Sequence, residues 1–509
     1  MKRRQLLQSA AVMAAGAMLP RSAWANKAAD TLNVPLTFGI ENIDRYYNSV
    51  VDGGILARHI WDTLIYRDPV TFAYKPALAT AWRWTDDKTL EFDLRQGVKF
   101  HNGDDFSADD VIFTLNFVSN PANKATGQDN VNFIEKAEKL SDYKVRVQLK
   151  HSFPPALEYV SGEWPIYPGK YYERVGPRGM GEKPVGTGPY RVVSLVPSRE
   201  FVLERFDEHY KDSPKLEKGG NIPRIKARLL PDMATQVAEL LGGGIDWMWY
   251  VPADQAEQLA QMPNLTVVNE EVFRTGSLVI DATGRSGVPA LKDKRVRKAI
   301  AYAINRQEMI DNLVKGKSKR LDVPCYPTQF GCNAAKAVVY DFNVQKAKDL
   351  MKEAGFADGF SVDMYAWRSR EWSEAIVAYL AAIGIRVNLQ QMDYFAIRDL
   401  MRSGKTPITF IDDGYYRLND SATIWQRFFA KAPDDQAHDD EVKAWVEAAA
   451  RINDPAKRQE FYDRIIAKVT DEAYWAPLFT FSTNYAFTKD LAFTPNIDEM
   501  PRWYNARWT

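Results

Sequence analysis

The feature that most constrains this chain is that two hydrophobic periods alternate along its whole length. Leu90, Phe92 and Leu94 are separated by charged residues, the period of a half-buried strand. The same period returns at Val145, Val147 and Leu149, and at Phe201 and Leu203. Between these lie helical stripes. Val111, Leu115 and Val118 follow a capping-box-like start at Ser107-Ala-Asp-Asp110, and Pro121 lies just past their end. Asn343 is placed to cap a helix whose stripe is Ala347, Leu350, Met351 and Ala354, with Gly355 as the stop. Ile376, Tyr379, Leu380 and Ile383 form another stripe ended by Gly384. Val296, Ile300, Ala303 and Ile304 form a further one, with Arg295, Arg297 and Lys298 on the expected wet side. Short strands and amphipathic helices interleaved in this way predict an α/β or α+β architecture. A length of 509 residues suggests roughly three domains.

The N-terminus reads as an export signal. Lys2, Arg3 and Arg4 precede the apolar run Leu6–Leu19, which is shorter than the roughly 20 residues that span a bilayer. Ala23-Trp-Ala25 fits a cleavage site, so residues 1–25 are expected to be removed. Arg3-Arg-Gln-Leu-Leu7 resembles a twin-arginine signal, the export route of folded proteins. The full chain has 66 basic and 66 acidic residues. Losing Lys2, Arg3, Arg4 and Arg21 with no acid leaves 62 against 66, a net charge of −4. That balance argues against a general nucleic-acid binder. With no later run of membrane length and no cysteine near the cleavage site, the mature chain is expected to be soluble, periplasmic and without a lipid anchor. In an oxidising compartment Cys325 and Cys332, the only two cysteines, are expected to form one local disulfide.

Motifs of covalent chemistry are absent. The five histidines lie in no HExxH or i, i+4 arrangement, so no metal site is expected. No GxSxG elbow occurs. Ser141-Asp-Tyr-Lys144 reads as a turn entering a strand, and Gly242-Gly-Gly244 as a helix stop lacking a following GK[ST]. The doublets Asp434-Asp435 and Asp439-Asp440 are expected to be solvated. Paired carboxylates leave a secreted hydrolase as a remote alternative.

A resemblance then organises the chain. Pro76-Ala-Leu-Ala-Thr-Ala-Trp82 continues through Leu94-Arg-Gln-Gly97 and His101-Asn-Gly103 to Val111. Pro184-Val-Gly-Thr-Gly-Pro-Tyr190, the run Leu240–Asp246 with Val251-Pro252, Lys294–Arg306, and Tyr340-Asp341 through Phe356 follow in order. Together these resemble family 5 extracellular solute-binding proteins, the dipeptide, oligopeptide and nickel receptors of ABC importers. The resemblance implies an α/β, two-lobed periplasmic binding protein (type II, cluster C-like) with an extra domain on the first lobe. The implied parts are 26–71, 186–284 and 485–509 for the first lobe, 72–185 for the extra domain and 285–484 for the second lobe. It also implies a monomer with no enzymatic activity and no cofactor. Such a receptor delivers a small solute to permease subunits driven by cytoplasmic ATPases. A receptor that only reports its ligand to a sensor partner is a further alternative. His101 is implied to be a turn residue.

Ligand contacts follow from the same resemblance. Arg368, after Asp363-Met-Tyr-Ala-Trp367, has the context of an arginine that pairs with a ligand carboxylate, a role suited to its planar fork. Peptide-binding relatives place an Asp for the ligand amine further on. Here that stretch holds Asp412, Asp413, Tyr415, Tyr416 and Arg417, with Tyr416 near the family Asp and the preceding Trp missing. Asp412 or Asp413 is a candidate substitute. Peptide is the family default, and the departure keeps sugar conjugates, opine-like compounds and aromatic acids open. Aromatic candidates are Trp367, Trp247, Trp249, Tyr250, Trp164, Tyr46 and Tyr47, set against the alternative of core packing.

Overall fold

The computed structural model describes residues 30–509 except 127–129, 217–218, 221 and 415–417. The expected export signal therefore lies outside the described residues, as do Tyr415, Tyr416 and Arg417.

Three main sheets carry the fold. The first is ordered Thr31–Leu36, Arg224–Leu229, Glu200–Arg205, Tyr190–Val196, parallel only between its first two strands. Leu32, Val34, Phe201 and Leu203 point into its core, as their alternation requires. The second is antiparallel, ordered Ala79–Asp86, Thr89–Leu94, Lys144–Leu149, Ile134–Ser141. Helix Ala108–Ser119 packs on it through Val111, Leu115 and Val118, and its expected capping box is present at Ser107 and Asp110. The two sheets share one apolar cluster, so the second does not have a core of its own.

The third sheet has six strands, ordered Trp247–Trp249, Trp475–Thr488, Leu265–Ile280, Ile408–Gly414, Phe360–Ala366, Ile385–Gln391. Helix Val344–Glu353 starts at Asn343, whose side chain accepts from the Lys346 N–H, and Gly355 follows it at φ 84°. It packs against helix Lys294–Ala303. In that second helix Arg297 departs from the expected wet face. It is buried and donates to the backbone carbonyls of Leu291, Lys292 and Glu472, with the Glu472 carboxylate at 3.2 Å. The guanidinium satisfies chain ends that no periodicity reveals.

Two long strands join the lobes. Leu265–Ile280 and Trp475–Thr488 pair antiparallel from Leu265↔Thr488 to Val279↔Trp475. Trp247–Trp249 pairs at the sheet edge with Tyr485–Phe487 of the second strand, and from Arg274 upward the first strand pairs with Ile408–Gly414. The register slips between Val272 and Thr275, leaving Phe273 and Arg274 as a bulge at the crossing. Phe273 stacks on Phe72 at 5.3 Å and meets Tyr326 at 4.9 Å, while its N–H donates to the Ile497 carbonyl. The expected Cys325–Cys332 disulfide is present.

Candidate ligand-binding site

A run of charged side chains lies where the lobes meet. Arg368 stands two residues past strand Phe360–Ala366, at its C-terminal end. Its Nε and Nη2 donate to Asp412 Oδ2 at 2.8 and 2.7 Å. Asp412 lies on Ile408–Gly414, opposite Gly276 and close to the bulge. Arg274 reaches the same Oδ2 at 2.7 Å and extends its other Nη to Glu499 at 3.1 Å. Tyr250 donates to Glu499 from the first-lobe side at 3.2 Å. Tyr250, Glu499, Arg274, Asp412 and Arg368 thus form one chain of contacts across the crossing strands. Tyr250 and Glu499 are both held at positive φ, 56° and 51°. Strain of this kind, about 1–3 kcal/mol per residue, concentrates at functional sites.

The electrostatics follow from burial. Burial alone would raise the Asp412 pKa, but Arg274 and Arg368 hold it below the usual carboxylate range. Asp413 goes the other way: burial raises it, Arg427 at 3.1 Å only partly offsets this, and Asp412 adds repulsion. Arg427 also holds Asp434 at 2.7 Å and donates to the Tyr394 hydroxyl at 3.1 Å. Asp434 and Asp435 are buried, in contrast to the solvated doublet expected. Asp434 collects Arg398, Arg402 and Arg427, and Asp435 accepts backbone N–H groups of Lys431, Ala437 and His438. Asp439 caps helix Asp440–Ala449.

Trp367 is half-buried and meets Tyr394 edge-on at 5.0 Å, so Trp367, Arg368, Asp412 and Asp413 do converge. The other aromatic candidates separate from them. Trp247 and Trp249 are sealed in the first-lobe core, where Trp247 packs against Tyr485, Phe493 and Trp503. Alternation places them on one face, but both faces of that short strand are covered, so the indoles serve packing. Tyr46 is likewise buried, donating to the Pro165 carbonyl at 2.9 Å. Tyr47 is half-buried and donates to the Asn123 carbonyl, and Trp164 is buried and donates to Asn130. Only Tyr250 of this group reaches the interlobe charges. His101 accepts from the Gly186 N–H on Nδ1 and donates from Nε2 to the Gly188 carbonyl, a turn clamp. Arg274 and Glu499 carried no signal in the sequence, since each works through partners more than 130 residues away.

The comparisons with known proteins agree with this architecture. The profile of the bacterial extracellular solute-binding proteins, family 5 Middle, matches residues 73–436. The glutathione-binding protein GsiB of Salmonella paratyphi A is 27% identical over 444 residues, covering 82% of each chain. The ABC transporter substrate-binding protein CtaP of Listeria monocytogenes superposes with a TM-score of 0.83 at 23% identity, covering 94% of this chain and 99% of CtaP. The periplasmic binding protein DppA of Helicobacter pylori, solved with the peptide STSA, gives 0.76 at 22% identity, over 94% of this chain and 98% of DppA. With a two-lobed α/β fold and a matched profile over most of its length, this chain belongs to family 5 of the bacterial extracellular solute-binding proteins.

Proposed function

We propose that the mature chain is a periplasmic receptor that captures a peptide or peptide-like solute between its lobes and hands it to an ABC permease. Arg3 and Arg4 send it through the twin-arginine route, and it works as a monomer without covalent chemistry. The observation that carries the reading is Arg368. It uses Nε and Nη2 on Asp412, leaves 44% of its side chain exposed and keeps Nη1 unbonded among the described residues. A guanidinium braced on one edge and open on the other suits a ligand carboxylate. Ligand binding then shifts an open-to-closed equilibrium, because the closed form adds contacts from the opposite lobe.

A second reading concerns the ligand's other end. Asp412 and Asp413 already face arginines, so neither is free to take a ligand amine. That favours a solute without a free α-amine, such as an opine-like compound or an aromatic acid. Native mass spectrometry of protein purified from a periplasmic extract tests both readings. A bound mass lost on denaturation identifies the solute and its class. Thermal shift with glutathione and with dipeptides extends the test, because a ligand at 100 times its Kd stabilises by about 2.7 kcal/mol. A receptor that carries no solute and responds to neither probe would remove the peptide reading. Chemical turnover of the bound solute would remove the receptor reading.

A further inference from the structure

The first lobe contains a small cavity that none of the expected ligand residues lines. Its walls come from helix Val51–Ile60, from the end of helix Ala156–Gly162 and from the C-terminal segment around Met500 and Tyr504. It holds about 30 Å³, room for roughly two waters or one carboxylate group. Two of its lining segments lead to contacts with the second lobe. Met500 follows Glu499, which holds Arg274. Helix Ala156–Gly162 also carries Glu158, which accepts the N–H of Asn419 from the second lobe.

The cavity is lined by a cation that forms no ion pair among the described residues. Arg45 pairs with Glu163 at 2.7 Å, Lys215 with Asp62 at 2.7 Å, and the nearby Arg502 with Asp498 at 2.7 Å. Arg58, half-buried on the same helix as Gly54, forms no hydrogen bond or ion pair from its guanidinium among the described residues. Four cations thus meet three acids. Burial and the repulsion of Arg502 both press the Arg58 pKa down, against the pull of Asp498 and Glu163. A half-buried charge without an acid beside it is only partly hydrated, and an anion brought next to it recovers that cost.

Gly54 is an independent sign of kept space. A glycine inside a helix costs roughly 0.5–1 kcal/mol relative to alanine. Its neighbour Gly53 is required, because a Cβ there would lie 2.5 Å from Asn48. A Cβ at Gly54 would meet only the Arg45 guanidinium carbon at 4.0 Å, and one at Gly162 only Arg58 Nη2 at 3.5 Å. Among the described residues only these guanidinium atoms come within 4 Å of the two places.

We propose that this first-lobe cavity is an oxyanion subsite in which Arg58 takes a carboxylate group of the captured solute. It rests on the receptor reading and deepens it: the solute carries an anion at its first-lobe end, separate from the carboxylate that Arg368 would hold. The space over Gly54 and Gly162 admits the group, and the planar fork of Arg58 binds it in two hydrogen bonds.

The test uses the mature protein freed of solute by unfolding and refolding, with Arg58→Met, Arg58→Lys and Gly54→Leu variants. Ligand-free Arg58→Met should melt higher than the parent. Succinate, compared with sodium chloride at equal ionic strength, should raise the parent's Tm but not that of Arg58→Met or Gly54→Leu. Arg58→Lys should respond weakly. Inorganic phosphate run in parallel separates a carboxylate from a phosphate group; a larger response to phosphate would overturn the carboxylate assignment. For the solute identified by mass, Arg58→Met should raise Kd roughly thirtyfold or more. A captured solute with no second anionic group, or one bound equally well by Arg58→Met, would overturn the subsite while leaving the receptor reading intact. If no solute is captured at all, the succinate and melting results still decide: equal response in parent and Arg58→Met, with no gain in Tm, would overturn the subsite.

Discussion

Two groups of acids, one in each lobe, are held by different kinds of partner. On the second-lobe side the buried Asp412 and Asp434 and the half-buried Asp413 all face arginines. On the first-lobe side, among the described residues, Arg58 forms no ion pair, and neither do the buried acids Asp44 and Asp52. Asp44 is held by the Tyr167 and Tyr172 hydroxyls and the Tyr46 N–H, and Asp52 by the N–H groups of Thr37 and Phe38. Hydrogen bonds from neutral donors do not fully repay the lost hydration of a carboxylate, so burial raises both pKa values to about 6. Two arginines do repay it at Asp412, whose pKa falls. The lesson is that the sign of a shift is a balance: two arginines outweigh burial at Asp412, while one does not at Asp413.

The largest effect expected from breaking this contrast is at Asp412. Asp412→Ala takes from Arg368 the acid it pairs with and leaves Arg274 its contact with Glu499, and should cost about 3–5 kcal/mol of unfolding free energy in urea. A loss below 1 kcal/mol would show that the pair does not hold the crossing strands together. At acid pH the same group gives a direction. Its folded pKa lies below the unfolded value, so its contribution is present above about pH 4 and is lost as pH falls through the folded pKa.

Asp52 sharpens the contrast with the opposite sign. Its folded pKa of about 6 lies above the unfolded value of 3.8, so the stability it confers is complete below pH 3.8 and is lost as pH rises through 6. The difference corresponds to up to about 3 kcal/mol. Asp52→Asn keeps an acceptor for Thr37 and Phe38 and cannot ionise. The stability of the parent relative to this variant should therefore decline between pH 4 and pH 7, measured by urea unfolding at each pH. A constant difference between the two across that range would place the Asp52 pKa near its unfolded value.

The smallest effect belongs to Arg368. Its exposure screens its pairing, and Arg274 stays on Asp412 when it is removed. Arg368→Ala should cost about 1 kcal/mol of stability or less. Its cost to affinity for a carboxylate solute should be about 2–5 kcal/mol, read by calorimetry. If affinity is unchanged, Arg368 does not touch the ligand.

Much of the scaffold was legible because its signals are local. A capping box, an Asn cap with a following glycine and a seven-residue cysteine spacing each specify a structure within about one turn or loop. Leu90, Phe92 and Leu94 faced the core as their alternation demanded. The local signals misled where a local pattern had more than one tertiary outcome. Arg297 lies on the polar side of its helix by periodicity, yet that side is covered by the Glu472 turn. Trp247 and Trp249 alternate as cleft residues would, yet a neighbouring strand and the C-terminal segment close over them.

By itself the sequence determined the secondary elements, the local disulfide, the family and the place of Arg368 at a strand end. Tertiary structure alone decided which charges meet. Arg274 and Glu499 are 225 residues apart, and Arg58 is set apart by forming no ion pair among the described residues rather than by any motif. Periodicity records which face of an element is buried, because burial depends on the residue's own polarity. It does not record what lies opposite, because the free energy of a charge depends on groups brought beside it by chain crossings that no local pattern encodes.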